Sequence, residues 1–284
     1  MVQVESNGTW LQIPRRAMRG GYAALAELGE QVSFFGRTIA WTPRAVQRYP
    51  REVMKLLAEV SLGRGGLALV AGTIGVIIFE SLSVGAVVGM VGYQGLRQVG
   101  VASYVGFLSA YFNTREVAPL IAANALIATV GAGFTARLGA MRISEEIDAL
   151  EVMAIPSVPF LVTTRFIAAI VAVIPLYVIS LMGTYLASQV VAASYGLTSG
   201  TYQHYFTLFL PTIDILYSFL KVIVFTVLLS LICTYYGYSV KGGPAEVGVA
   251  VGRAVRLANV ATVLVDFSLS LALWGSTATV RIAG

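Results

Sequence analysis

The sequence has few charged residues, one cysteine and one histidine, and each scarcity excludes a class of protein. Charged residues make up 12% of the 284 residues, about half of the roughly 25% found in soluble domains, so they are too few to cover a globular surface. Cys233 alone cannot build a disulfide framework or a cysteine metal cluster. His204 is the only histidine, which removes most histidine-based chemistry. We therefore expect no metal site and no soluble enzyme.

The sequence contains long hydrophobic stretches with few charged residues. Hydrophobic residues make up 57% of the chain, and the mean hydropathy is +0.80. Five stretches with at most one charged residue are long enough to cross a hydrocarbon core about 30 Å thick: Leu67–Gln94, Val117–Ala136, Phe166–Gln203, Val222–Val240 and Leu257–Val280. We interpret Gln98–Thr114 as a helical lead-in to the second span, lying at or re-entering the membrane. The predicted fold class is an all-α integral membrane protein with five transmembrane helices.

The basic residues indicate how the chain is oriented. Fifteen Lys and Arg residues lie before the first span or in the connections on that same side, against three on the other side, with Lys221 inside a span. Because cytoplasmic loops carry the excess of Lys and Arg, the N-terminus is predicted to be cytoplasmic and the C-terminus extracytoplasmic. The net charge of +5 then reflects topology and attraction to anionic lipids, and we expect no nucleic-acid partner.

Residues 1–66 form a separate region before the membrane domain of residues 67–284. They contain no secretory signal pattern. Within 51–60, one helical face carries apolar side chains and the other carries Glu52, Lys55 and Glu59. We interpret this region as amphipathic helices that lie along the cytoplasmic leaflet. The alternative is a soluble helix that packs on a partner.

Four ionisable residues lie at predicted membrane depth, where a charge is costly and usually functional: Glu80, Asp214, Lys221 and Asp266. Asp214 and Lys221 are seven residues apart, two turns along one helical face, so they are able to pair. Alternatively, Asp214 caps the fourth span. Small residues at four-residue spacing, Gly85 with Gly89 and Ala128 through Ala140, favour close helix packing in a bundle.

An acidic segment between the second and third spans, residues 143–154, has two faces. Ile143, Ile147, Leu150 and Ala154 form an apolar stripe, and the acids occupy the rest of a helix: Glu145, Glu146, Asp148 and Glu151. Ser144 would cap this helix and Pro156 would end it. Such a helix suits contact with a soluble partner, although a solvated linker is the alternative. No phosphate-binding G-x-x-x-x-G-K-[ST] loop is present, so this chain is not expected to bind ATP through one.

Three segments resemble one known family. LGAMRISEEIDALEVMAI is similar to the signature of the MlaE/YrbE permeases, the membrane subunits of ABC transporters that move lipids. SGTYQHYFTLFL (Ser199–Leu210) and CTYYGYSVKGGPAEVGVAVGRAVR (Cys233–Arg256) resemble the actinobacterial YrbE B-type of Mce systems. The resemblance runs from about residue 50 to about residue 275. It implies five membrane helices preceded by interfacial helices.

The resemblance also implies partners and a role for the acidic segment. Residues 143–154 would be the coupling helix that docks into an MlaF-like ATPase dimer, and the docking set would be Arg142, Glu145, Glu146, Ile147, Asp148, Leu150, Glu151 and Met153. Ile147, Leu150 and Met153 would be its apolar anchors. ATP and Mg would be bound by that ATPase and no cofactor by this chain. An A-type YrbE permease would complete a heterodimer, with Mce channel proteins beyond the outer face of the inner membrane.

The predicted function is therefore a non-catalytic permease subunit that moves lipids, with import expected from the resemblance. A secondary transporter driven by protons or ions remains an alternative, although no internal repeat supports it. A lipid-modifying membrane enzyme is a second alternative, for which Glu80 with Asp266 is the best available pair. The cargo stays open among fatty acids, mycolic-type lipids, sterols and phospholipids.

Overall fold

The computed structural model describes residues 12–62 and 72–275, with side chains from residues 28–60 and 72–275. The described residues are mostly helical, and none of them forms a strand. Its helices are α1 (Gln12–Arg48), α2 (Pro50–Leu62), α3 (Thr73–Gln98), α4 (Ala102–Ile143), α5 (Glu146–Val152), α6 (Val158–Ser194), α7 (Ser199–Leu208), α8 (Thr212–Tyr238) and α9 (Pro244–Trp274).

Five of these helices, α3, α4, α6, α8 and α9, are long and apolar enough to cross a membrane. The predicted number of spans is thus confirmed. Residues 102–114 of the predicted lead-in belong to α4 itself, whose 42 residues span roughly 63 Å at 1.5 Å per residue. The helix is therefore about twice as long as the hydrocarbon core is thick. Residues 113–117 and 127–131 form π-helical turns within it.

The membrane helices form a bundle with α4, α6 and α8 at its centre. Helix α3 packs along α6, and α9 packs along α8 and the second half of α4. Half or more of the apolar segment of each central helix is buried, whereas only 22% is buried in α3 and in α9. These two outer helices expose apolar side chains, including Phe79 and Val91 on α3 and Leu264 and Phe267 on α9.

Helices outside the bundle close its two ends. At the end that carries α5, α1 and α2 pack against α6. Leu56 and Val60 of α2 are buried there, so the apolar face predicted within 51–60 covers the bundle itself. Helix α1 buries Phe34 and Thr38 and exposes an apolar stripe of Leu28, Val32, Ile39 and Val46. At the opposite end, α7 packs on the start of α4. The location of α1 and α2 at a leaflet stays a prediction.

Glycine on α3 permits the close approach of α3 to α6. A Cβ atom at Gly85 would lie 2.7 Å from the Cα of Thr184, and one at Gly89 would lie 2.9 Å from the Cα of Ser188. The Ser188 hydroxyl donates to the Gly85 carbonyl at 2.7 Å. The predicted small-residue pair thus packs between helices, as expected where the hydrophobic effect no longer drives association. The alanines at four-residue spacing on α4, Ala128 through Ala140, do not pack between helices in the same way, because Ala128 and Ala140 are exposed.

We expect Gly85→Val to destabilise the bundle by about 1–3 kcal/mol, since the added atoms overlap backbone that cannot move aside. The measurement is the thermal unfolding midpoint of the purified protein in detergent. Gly95→Val is the matched control, because a Cβ at Gly95 on the same helix meets nothing within 4 Å. Equal midpoints for the two variants would show that the α3–α6 contact is looser than described.

Candidate functional site

A buried cluster of charged residues joins α4, α8 and α9. A proline on α4 leaves one backbone carbonyl available to take part in it. Pro119 has no N–H to donate to the carbonyl four residues earlier, so the Arg115 carbonyl is available to another donor. The Lys221 ammonium of α8 fills that place with an N–O distance of 2.7 Å. Lys221 is fully buried, and a buried ammonium requires partners for its charge as well as for its hydrogens.

Two carboxylates supply that charge. Lys221 Nζ lies 2.6 Å from Asp266 Oδ1 of α9 and 3.2 Å from Glu116 Oε2 of α4. Ser270 of α9 completes the group, since it accepts from Lys221 at 2.9 Å and donates to Glu116 at 2.7 Å. The Lys221 cluster, defined as Lys221, Glu116, Asp266 and Ser270, therefore ties three helices together.

A second ion pair lies beside the Lys221 cluster. Arg115 donates from Nε and Nη2 to Asp214 Oδ2 at 2.9 and 2.6 Å, and both side chains are about 4% exposed. Trp274 Nε1 donates to the other Asp214 oxygen at 3.0 Å. The Arg115 guanidinium also lies over the Tyr111 ring at 4.0 Å, a favourable cation–π geometry.

These contacts correct two sequence interpretations. Asp214 and Lys221 do not pair with each other, because each has partners on other helices. Asp214 is also not the cap of α8, which begins after Pro211, and its carboxylate points to Arg115 instead. Sequence reasoning missed Arg115 and Glu116, which border an uncharged stretch. The proline four residues after Arg115 was the available signal for a site there.

Glu80 lies apart from this cluster. It is on α3, is half-buried, and has no ion pair among the side chains that the structure describes. The pair of Glu80 with Asp266 that a membrane enzyme would use does not form, since Asp266 binds Lys221 on the α8–α9 side of the bundle. The predicted ionisable residues therefore form no continuous relay through the described helices.

The acidic segment forms a short helix between two left-handed residues. Glu145 and Ala154 both have φ of 59°, a conformation that is costly for residues with a Cβ. Between them α5 runs only from Glu146 to Val152. Ser144 is not its cap, because the Ser144 hydroxyl donates back to the Ala140 carbonyl of α4 at 3.0 Å. The helix is thus a separate element, shorter than the predicted 143–154.

One face of α5 is packed inside this chain. Ile147 is fully buried against Leu138 of α4 and Leu161 of α6. Leu150 is partly buried against the same cluster. The prediction that Ile147 anchors a partner is therefore wrong, since its side chain is already covered by its own bundle.

The other face of α5 is exposed, and it differs from the predicted set. Val152 is 87% exposed and Met153 61% exposed, so the apolar tip includes a valine that the predicted stripe left out. Glu145 and Glu146 are exposed at the other end of α5. Asp148 is half-exposed and pairs with Arg142 at 2.7 Å. We call Glu145, Glu146, Val152 and Met153 the α5 tip.

Five apolar helices around buried ion pairs, with a short acidic helix presented at one end, are the architecture of a multi-pass membrane protein. The family model "Permease MlaE" matches residues 64–272. The chain therefore belongs to the MlaE permease family.

Relatives support the same family. A probable ABC transporter permease protein of Rickettsia bellii is 29% identical over 199 residues, which cover 69% of this chain and 76% of that protein. The intermembrane phospholipid transport system permease protein MlaE of Haemophilus influenzae is 26% identical, covering 71% and 78%. The chloroplastic protein TRIGALACTOSYLDIACYLGLYCEROL 1 of Arabidopsis thaliana is 28% identical, covering 70% and 57%.

Proposed function

We propose that this chain is the permease subunit of an Mce-type ABC transporter that moves lipids across the inner membrane. The observation that carries the proposal is the α5 tip, in which two exposed acids at the beginning of α5 and two exposed apolar side chains at its end flank a helix whose other face is fixed to the bundle. A separate ATPase dimer binds ATP and Mg and docks on this tip. The N-terminus and α5 are then cytoplasmic, and the C-terminus is extracytoplasmic.

The outer helices α3 and α9 form the contact with a second permease, an A-type YrbE protein. Support comes from the low burial of these two helices compared with the three central ones. A cavity between the two permeases takes a lipid from Mce channel proteins on the outer side, with import as the direction. Phospholipid is the first cargo to test, because the Haemophilus relative is named for phospholipid transport.

A photo-crosslinking experiment tests the docking site. With p-benzoylphenylalanine in place of Val152, we expect ultraviolet light to join this chain to an ATPase in native membranes, since Val152 is the most exposed apolar side chain near α5. The same probe at Val263, an exposed position of α9, is the matched control and is expected to capture no ATPase. Capture of an ATPase from Val263 and none from Val152 would contradict the proposal.

A further inference from the structure

Glu151 of α5 is exposed like the other acids of this segment, and its carboxylate also binds a buried serine. Its Oε1 accepts a hydrogen bond from the Ser157 hydroxyl at 2.6 Å. Ser157 is 3% exposed and immediately precedes α6. The contact thus fixes the last turn of α5 to the beginning of a membrane helix.

Tyr238 joins the same hydrogen-bond group from the end of α8. Its hydroxyl lies 2.8 Å from the Ser157 hydroxyl and 3.4 Å from Glu151 Oε1. Since the single Ser157 hydrogen is directed to Glu151, the Tyr238 hydroxyl acts as the donor, with Ser157 as the nearer acceptor and Glu151 as the farther one. A carboxylate at the end of the chain of donors strengthens such bonds. Through Tyr238, α5 is bonded to α8 as well as to α6.

The Tyr238 ring continues the contact to α1. Its centroid lies 5.5 Å from that of Phe34, and Phe34 is buried against Tyr235 as well. Tyr238 also packs on the cluster that holds Ile147 of α5. This one side chain of α8 therefore touches α5, α6 and α1, while α5 itself lies between two strained left-handed residues. Packed and hydrogen-bonded side chains that respond together are the physical means of transmitting a displacement.

We propose that Tyr238 is a positioning residue that carries displacements of α5 to α8 and α1 through its hydrogen bond to Ser157 and Glu151. This inference rests on the proposed function, because the displacement originates in the ATPase. Glu151 then acts as an internal acceptor through its hydrogen bond from Ser157. That role differs from the one the sequence resemblance assigns to it.

The test compares Tyr238→Phe with Tyr236→Phe in the complex that co-purifies with the native ATPase. The Tyr236 hydroxyl has no hydrogen-bond partner among the described residues. Tyr236→Phe therefore removes the same hydroxyl group without breaking the hydrogen bonds that join Tyr238, Ser157 and Glu151. Deuterium uptake is measured with and without a non-hydrolysable ATP analogue. In Tyr238→Phe we expect the nucleotide-induced change at residues 28–40 and 230–238 to fall about tenfold, the effect of losing about 1.4 kcal/mol of coupling, while the change at α5 persists.

Glu151→Gln and Glu151→Ala distinguish a role of Glu151 as acceptor for Ser157 from an electrostatic contact of Glu151 with the ATPase. The amide oxygen of Gln still accepts from Ser157, so Glu151→Gln is expected to keep the nucleotide response, whereas Glu151→Ala is expected to lose it as Tyr238→Phe does. A full response at α1 and α8 in Tyr238→Phe would overturn the proposal. So would a wild-type complex that responds at α5 alone. Failure of any ATPase to co-purify, or no response at α5, would instead refute the proposed function.

Discussion

Lys221→Met is expected to yield little folded protein, with a loss of stability of about 3–5 kcal/mol, because removing one member of a buried ion pair leaves the others uncompensated. Met has nearly the same length as Lys and leaves no large cavity, so the loss of charge dominates. Asp266 and Glu116 would both lose their ion-pair partner, and the Arg115 carbonyl would lose its donor. The measurement is the yield of monodisperse protein in size-exclusion chromatography together with its thermal midpoint.

A matched control and a rescue make this result specific. Lys55 on α2 pairs with Glu52 at 3.6 Å, but its side chain is 64% exposed, so Lys55→Met is expected to cost less than about 1 kcal/mol. Lys221→Met combined with Asp266→Leu is expected to recover part of the lost stability, since replacing both members of the buried pair by apolar side chains is often neutral, while Glu116 is 35% exposed and keeps its hydrogen bond from Ser270. If Lys221→Met were as stable as Lys55→Met, the cluster would not hold α4, α8 and α9 together.

The number and approximate places of the membrane helices were predictable because they depend on the length of uncharged runs alone. The partners of the buried charges were not, since they depend on which helices become neighbours. Lys221 illustrates the difference: its own helix offers Asp214 on the same face, yet Glu116 and Asp266 from two other helices bind it. Sequence spacing reports contacts within a helix, whereas these contacts are between helices.

The acidic segment, residues 143–154, shows that helical periodicity also fails where the backbone leaves the helix. The predicted stripe assumed one helix from residue 143 to 154, and the resemblance implied that Ile147, Leu150 and Met153 anchor a partner. The left-handed residues Glu145 and Ala154 separate α5 from its surroundings, so residues beyond each end do not share its helical phase. Within α5 itself, Ile147 and Leu150 of the predicted stripe pack inward on this chain's own helices, and Val152 points outward. Backbone conformations of this kind at non-glycine residues carry little signal in a single sequence.

The double reversal Glu145→Lys and Glu146→Lys is expected to abolish co-purification of the ATPase, with a loss of affinity of about a hundredfold or more. Like charges placed opposite one another at an interface cost several kcal/mol, and a hundredfold corresponds to about 2.7 kcal/mol. Both side chains are exposed, whereas Asp148 and Glu151 already bind Arg142 and Ser157. Reversal of the first pair therefore changes the outer surface without breaking contacts of Asp148 or Glu151. The measurement is the amount of ATPase retained on a tagged permease in increasing salt.

Glu30→Lys with Glu246→Lys provides the control of equal charge. Both residues are exposed at the same end of the bundle as α5, on α1 and at the start of α9, so this variant has the same net charge as the first. If the two double variants released the ATPase equally, general electrostatic repulsion would account for the effect. The α5 tip would then not be the docking site of the ATPase. If only the α5 variant released it, the contact would be local, because general repulsion would have acted on both.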